Sequence, residues 1–74
     1  MDWSDRHPST AHFGPLFAYE HLNPSLGSVS AECAALAASL IAQLPDGPEL
    51  SAGLRKLLEA KDCFVRAALG KPRP

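Results

Sequence analysis

The fold is decided by residues 30–69, which read SAECAALAASLIAQL, then PDGP, then ELSAGLRKLLEAKDCFVRAAL. In the first piece, apolar side chains recur at the i, i+3, i+4 and i+7 spacing that marks one face of an α-helix. These are Cys33, Leu36, Ala37, Leu40, Ile41 and Leu44. Ser30 is a good N-cap residue, and Pro45 disfavours helical geometry in the residue before it. The pattern therefore predicts a first helix that begins after Ser30 and ends at Leu44.

The second piece is a tight turn, because residues 45–48 combine two prolines with aspartate and glycine. Asp46 can cap the next helix, and Glu49 follows it at the spacing of a capping box. The apolar periodicity of the third piece predicts a second helix from about Pro48 to Leu69. With so short a turn, the two helices are expected to pack antiparallel.

The amino-terminal part shows no helical periodicity and is punctuated by proline and glycine, which favours an extended arm. We predict a flexible segment over residues 1–15, followed by one domain, residues 16–74, that contains the arm and the hairpin. Residues 16–22 are apolar enough to lie across the helices. The expected fold class is all-α: an antiparallel two-helix hairpin with an extended amino-terminal arm.

A chain of 74 residues buries little surface, so it needs a disulfide, a metal or self-association for stability. Its two cysteines make no disulfide framework, and its three histidines lack the spacing of paired metal ligands. No metal site is expected, which leaves self-association. The first helix also carries a second stripe of small side chains, and a helix that is apolar nearly all round is usually buried on more than one side. The stripe that we predict as the oligomer interface consists of Ala31, Ala35, Ala38 and Ala42.

Composition argues against several classes of function. The net charge of −1 disfavours binding to long nucleic acid, which needs a basic surface. The start of the chain lacks the pattern of a signal peptide, and no membrane association is expected, so a cytoplasmic location is predicted. No nucleotide-binding, metalloprotease or hydrolase motif is present in the sequence, and two helices offer little concavity for an active site. We therefore expect a protein that is not an enzyme and uses no cofactor.

Positive charge is concentrated near the carboxyl end. Six of the seven basic residues but only two of the eight acidic residues follow Leu50, so that segment has a formal charge of +4 and the rest has −5. Such asymmetry suits a compact anionic ligand or a charge match between subunits, although an ordinary solvated helix face would look the same.

Lys61 and Tyr19 each allow two interpretations. Lys61 falls within the apolar face of the second helix, where its stem could pack while the ammonium reaches water, or where an intersubunit pocket could bring it to an anion. Tyr19 could anchor the arm against the hairpin, or its ring could stack on a nucleobase.

The hairpin sequence resembles a known family. The resemblance lies in residues 44–49 (LPDGPE), residues 52–60 (AGLRKLLEA) and residues 66–69 (RAAL), together with residues 17–19 (FAY) and the nearby Pro24. They are similar to the hairpin domain of phage anti-CBASS and anti-Thoeris cyclic-nucleotide sponges and to the aromatic arm that precedes it. The present sequence departs from that pattern in two ways. Its first helix has no lysine or arginine, and Leu50 stands where an arginine is common.

The resemblance implies a phage protein, placed in the cytoplasm of its bacterial host, that binds cyclic oligonucleotide immune signals without cleaving them. It also implies a dimer or higher homo-oligomer, such as a hexamer, that holds cyclic di- or trinucleotides. The candidate ligand-binding residues are Tyr19, His21, Arg55, Lys61 and Arg66, with Tyr19 in the stacking role. The alternative is a helical-hairpin module for oligomerisation or protein interaction that has no small-molecule ligand.

Overall fold

A computed structural model describes residues 1–70, and this part of the chain is helical and contains no strand. It contains α1 (Pro8–Ala11), a 3-10 turn (Pro15–Phe17), α2 (Pro24–Gln43) and α3 (Pro48–Gly70). The predicted all-α class is confirmed. Helices α2 and α3 pack against each other, α1 contacts α3, and the 3-10 turn contacts α2.

The start predicted for the first long helix is wrong, whereas the ends near the turn lie within one residue of the prediction. Helix α2 begins at Pro24, where the Asn23 side chain accepts a hydrogen bond from the Leu26 N–H at 3.1 Å. An asparagine cap followed by proline at the first helical position is a strong start signal. Ser30 is therefore fully buried inside the helix, where its hydroxyl has no hydrogen-bond partner among residues 1–70.

The expected extended arm is replaced by short helical turns. Pro8 and Pro15 each stand at the start of one, since the fixed backbone angle of proline suits a first helical position. The His7 ring nitrogen accepts from the Ser9 N–H at 3.0 Å and caps α1. Turns of three or four residues are too short to show any periodicity, which is why the sequence pattern did not reveal them.

Packing also begins before the predicted boundary at residue 15. Thr10 and Phe13 are both buried, and Gly14 lies where an added β-carbon would meet the carbonyl oxygen of Met1. Flexibility of residues 1–15 stays a prediction, but several of these residues belong to the core rather than to a free tail.

The core is a layer of apolar side chains contributed by the amino-terminal segment, α2 and α3. Its buried members are Phe13, Phe17, Ala34, Ala37, Ile41, Leu50 and Leu54. On α2 the buried stripe is turned from the predicted one: Cys33, Ala37 and Ile41 are buried as expected, but three predicted leucines are exposed. These are Leu36, Leu40 and Leu44. The difference arises because Phe13 and Phe17 cover the side of α2 that carries Ala34 and Ala37.

Helix α2 is long and apolar enough to cross a membrane by length and composition alone. The same test is passed by a core helix of a soluble protein, so it is weak evidence on its own. Here Ala34, Ala37 and Ile41 belong to the packed core. The expectation of no membrane association stays a prediction.

Arg6 joins the amino-terminal segment to the turn between the long helices. Its guanidinium donates to the carbonyl oxygens of Ile41 at 2.6 Å and Leu44 at 2.8 Å, at the end of α2. It also forms an ion pair with Asp46 at 3.2 Å. Thr10 donates to the same carboxylate at 2.6 Å. The side chain of Asp46, expected to cap the second helix, thus holds the amino-terminal segment.

Replacing Arg6 should weaken the fold. Arg6→Ala removes charge-assisted hydrogen bonds to two carbonyl oxygens, and we expect the free energy of unfolding to fall by about 1–3 kcal/mol in urea denaturation. Glu59→Ala, at an exposed position of α3 outside the cavities, is the control and should change it by less than about 0.5 kcal/mol. Equal stability of Arg6→Ala and the wild type would contradict a stabilising role for these contacts of Arg6.

The contacts of Arg6 and Thr10 with Asp46 also predict that the free energy of unfolding depends on pH. The hydrogen bond from Thr10, followed by that from Arg6, lowers the pKa of Asp46. A carboxyl group whose pKa is lower in the folded state stabilises the fold above its unfolded pKa of about 3.9 and loses that contribution as pH falls through the folded pKa. The free energy of unfolding should therefore drop on acidification below about pH 4.

In Asp46→Asn, that drop should be shallower than in the wild type, because the variant has no carboxyl group to protonate at this position. Denaturation curves at a series of pH values from neutral to strongly acidic measure both slopes. Parallel slopes for the two proteins would show that Asp46 does not carry the effect.

Candidate functional site

A basic cavity lies where the segment after the 3-10 turn crosses the second half of α3. Its volume is about 360 Å³. It is lined by Pro15, Leu16, Ala18, His21, Leu22, Lys61, Asp62, Val65 and Arg66. Three of the five predicted ligand-binding residues, His21, Lys61 and Arg66, therefore lie together. The arrangement can bind an anion, since three groups that can carry positive charge face one carboxylate.

Lys61 lies in the apolar face of α3, as the helical wheel predicts, with only 12% of its side chain exposed. Its ammonium donates a hydrogen bond to the Leu16 carbonyl oxygen at 2.9 Å and forms an ion pair with Asp62 at 3.4 Å. An ammonium has three donors, so these contacts leave capacity for an anion. The sequence did not predict the Leu16 carbonyl oxygen as a partner of Lys61, because it did not predict the backbone path of residues 15–18.

His21 and Arg66, which complete the positive side of the cavity, are both exposed. The Arg66 guanidinium donates to the Cys63 sulfur at 3.4 Å, one turn earlier on α3. This contact uses one of its five N–H donors, and the rest can meet a phosphate in the bidentate manner typical of arginine. Asp62 opposes anion binding, since its carboxylate is half exposed beside Lys61.

Tyr19 and Arg55 do not line the basic cavity. Tyr19 is partly buried and packs against the core cluster, which is the contact expected of an anchor. The guanidinium carbon of Arg55 lies 5.6 Å from the centre of the Phe13 ring, a cation–π arrangement at another part of α3. The structure therefore brings three predicted residues together and separates the other two from them.

The apolar walls of the cavity are Leu16, Leu22 and Val65, which were not among the predicted ligand-binding residues. The expectation that residues 16–22 lie across the hairpin was the signal that could have found the first two. Val65 lies four residues after Lys61 on the same helix face, so the helical period could have found it.

The alanines of the predicted interface are accessible to different degrees. Ala35 and Ala42 are exposed, while Ala31 and Ala38 are partly exposed. A single chain is described, so their role between chains stays a prediction.

Reactive groups in the described chain are few. Cys33 and Cys63 are both free thiols, and burial raises the pKa of Cys33, which lowers its fraction of reactive thiolate. Within residues 1–70, no three histidine, cysteine, aspartate or glutamate side chains cluster to hold a metal ion.

Comparison of the chain with protein-family models, with curated proteins and with solved structures finds no match.

Proposed function

We propose that this protein is a phage anti-defence sponge, which binds cyclic oligonucleotide immune signals in the host cytoplasm and withholds them without cleaving them. In this proposal the working unit is an antiparallel helical hairpin assembled as a homo-oligomer. The observation that carries it is the basic cavity, where His21, Lys61 and Arg66 face the same space.

The chemistry of the cavity suits one phosphate with part of a nucleoside. Arg66 and His21 supply exposed donors, and Lys61 supplies a positive charge that the apolar walls shield from water. The apolar walls suit the carbon-rich edge of a ribose or base. Asp62 reduces the local positive charge, so a monoanionic phosphodiester fits better than a more highly charged group.

Size supports a site shared between subunits. Ligand pockets usually enclose about 300–1,000 Å³, and this cavity of about 360 Å³ lies at the lower end of that range. One copy would cover only part of a cyclic dinucleotide, and a second copy would cover the remainder. The resemblance of residues 44–69 to the sponge hairpin supports the same arrangement.

Calorimetric titration of the purified protein with a panel of cyclic di- and trinucleotides tests the function. We expect saturable binding of at least one ligand, and intact ligand recovered after the protein is denatured. Flat titrations across the panel at micromolar protein would remove the sponge function, and a linearised or hydrolysed product would replace it with an enzymatic one.

Two variants of residues that line the cavity should change the affinity for the ligand in opposite directions. Arg66→Glu should weaken binding about tenfold or more, because it reverses a charge that faces the phosphate. Asp62→Asn should strengthen binding, because it removes the opposing carboxylate. Loss of affinity in both variants would contradict phosphate binding in this cavity.

Tyr19 needs a separate pair of variants, because its partly buried ring can anchor, stack or do both. If the ring stacks on a base, a contribution of about 1–3 kcal/mol, Tyr19→Ala should lose about tenfold to a hundredfold in affinity while Tyr19→Phe binds as the wild type does. If the ring only anchors, as its packing outside the cavity favours, neither variant should change the affinity. Measuring the melting temperature of each variant separates the two roles. A Tyr19→Ala protein that melts lower but binds with undiminished affinity would leave only the anchor.

The alternative function is an oligomerisation or protein-interaction hairpin without a small-molecule ligand. The observation that favours it is a band of exposed leucine and phenylalanine side chains along the long helices. The calorimetric panel distinguishes the two functions.

A further inference from the structure

An apolar groove, here called the leucine groove, runs along α2 and α3. It joins two cavities of about 690 and 400 Å³ that share Leu36 and Leu57. Its principal walls are Val29, Cys33, Leu36, Leu40, Leu57 and Phe64. One cavity reaches from the first half of α2 to the second half of α3, and the other reaches to the turn between the helices.

The groove gathers most of the large apolar side chains that the described chain leaves exposed. Leu36 is 50% exposed, Phe64 is 54% exposed, and Leu40 and Leu44 line the same two cavities. A contiguous patch of this kind marks an interaction surface more often than scattered apolar residues do. The predicted alanine interface does not account for it, because Leu36 and Leu40 project from a different side of α2.

We propose that a second copy of this chain covers the leucine groove, as the two-fold interface of the homo-oligomer. The inference rests on the self-association in the proposed function and not on its ligand binding.

The size of the molecule fits such an interface. A face along its length measures 42 by 17–20 Å, a projected area of about 710–840 Å². A stable interface buries about 800 Å² per partner. A second copy lying along the groove would therefore cover enough surface, whereas a short peptide would leave part of the groove open.

Sedimentation velocity of Leu36→Glu tests the proposal against Leu69→Glu as the matched control. Leu69 is 66% exposed but does not line the groove. We expect Leu36→Glu to sediment at no more than half the wild-type mass and Leu69→Glu to keep the wild-type mass, both with unchanged helical circular dichroism. An unchanged mass for Leu36→Glu, or an equal loss in the control, would overturn the proposal.

Leu36→Ala decides the case if the glutamate variant loses helicity. This milder change should weaken self-association about thirtyfold on dilution, because two-fold symmetry counts each lost contact twice. An unchanged dissociation constant would overturn the proposal, and so would a wild-type protein that remains monomeric at high micromolar concentration.

Ligand binding is read separately on the same samples. A flat calorimetric titration of a wild-type protein that dimerises through the groove would remove the sponge function and leave this inference standing. Saturable binding by a wild-type protein that remains monomeric would support ligand binding and remove this inference.

Discussion

Two phenylalanine rings from the amino-terminal segment, Phe13 and Phe17, are buried against α2 and α3, and the remaining features follow from where they lie. Their centres are 6.5 Å apart, and Trp3 packs on Phe17 with ring centres at 5.9 Å. Two helices alone enclose little apolar volume, so these rings supply a third layer to the core. They fix which side of α2 is buried, and they leave the leucine groove uncovered.

The same layer positions the basic cavity. Residues on either side of Phe17 lie against α3, where the Leu16 carbonyl oxygen accepts from the Lys61 ammonium at 2.9 Å. That contact holds a lysine within an apolar face, at a place where an unpaired charge would be costly. His21 is thereby brought to the side of α3 that carries Arg66. Structural stability and the proposed anion site thus share one lysine.

Sequence pattern predicted the parts of the fold that depend on local chemistry. The bounds of α3 and the end of α2 follow from proline, glycine and apolar periodicity within one element. The pairing of Arg6 with Asp46 spans forty residues, and no local rule predicts a contact at that separation. The start of α2 was missed for another reason: Ser30 also resembles a cap, but Asn23 with Pro24 makes the stronger one.

The site was predictable to a similar extent. Helical spacing placed Lys61 and Arg66 on the second helix, but the wheel could not show that the amino-terminal segment would bring His21 to them. Tyr19 and Arg55 were grouped with these residues by resemblance and by charge. Packing separates them, since Tyr19 lies against the core cluster and Arg55 lies over Phe13.

The most direct measurement is a nitrogen–proton correlation spectrum of the labelled protein, recorded with and without a cyclic dinucleotide at millimolar concentration. The account predicts that resonances of His21, Lys61, Val65 and Arg66 shift in a saturable way. It also predicts that resonances of Leu36 and Leu40 in the leucine groove stay in place. Shifts confined to the groove, or an unchanged spectrum for every cyclic nucleotide tried, would contradict it.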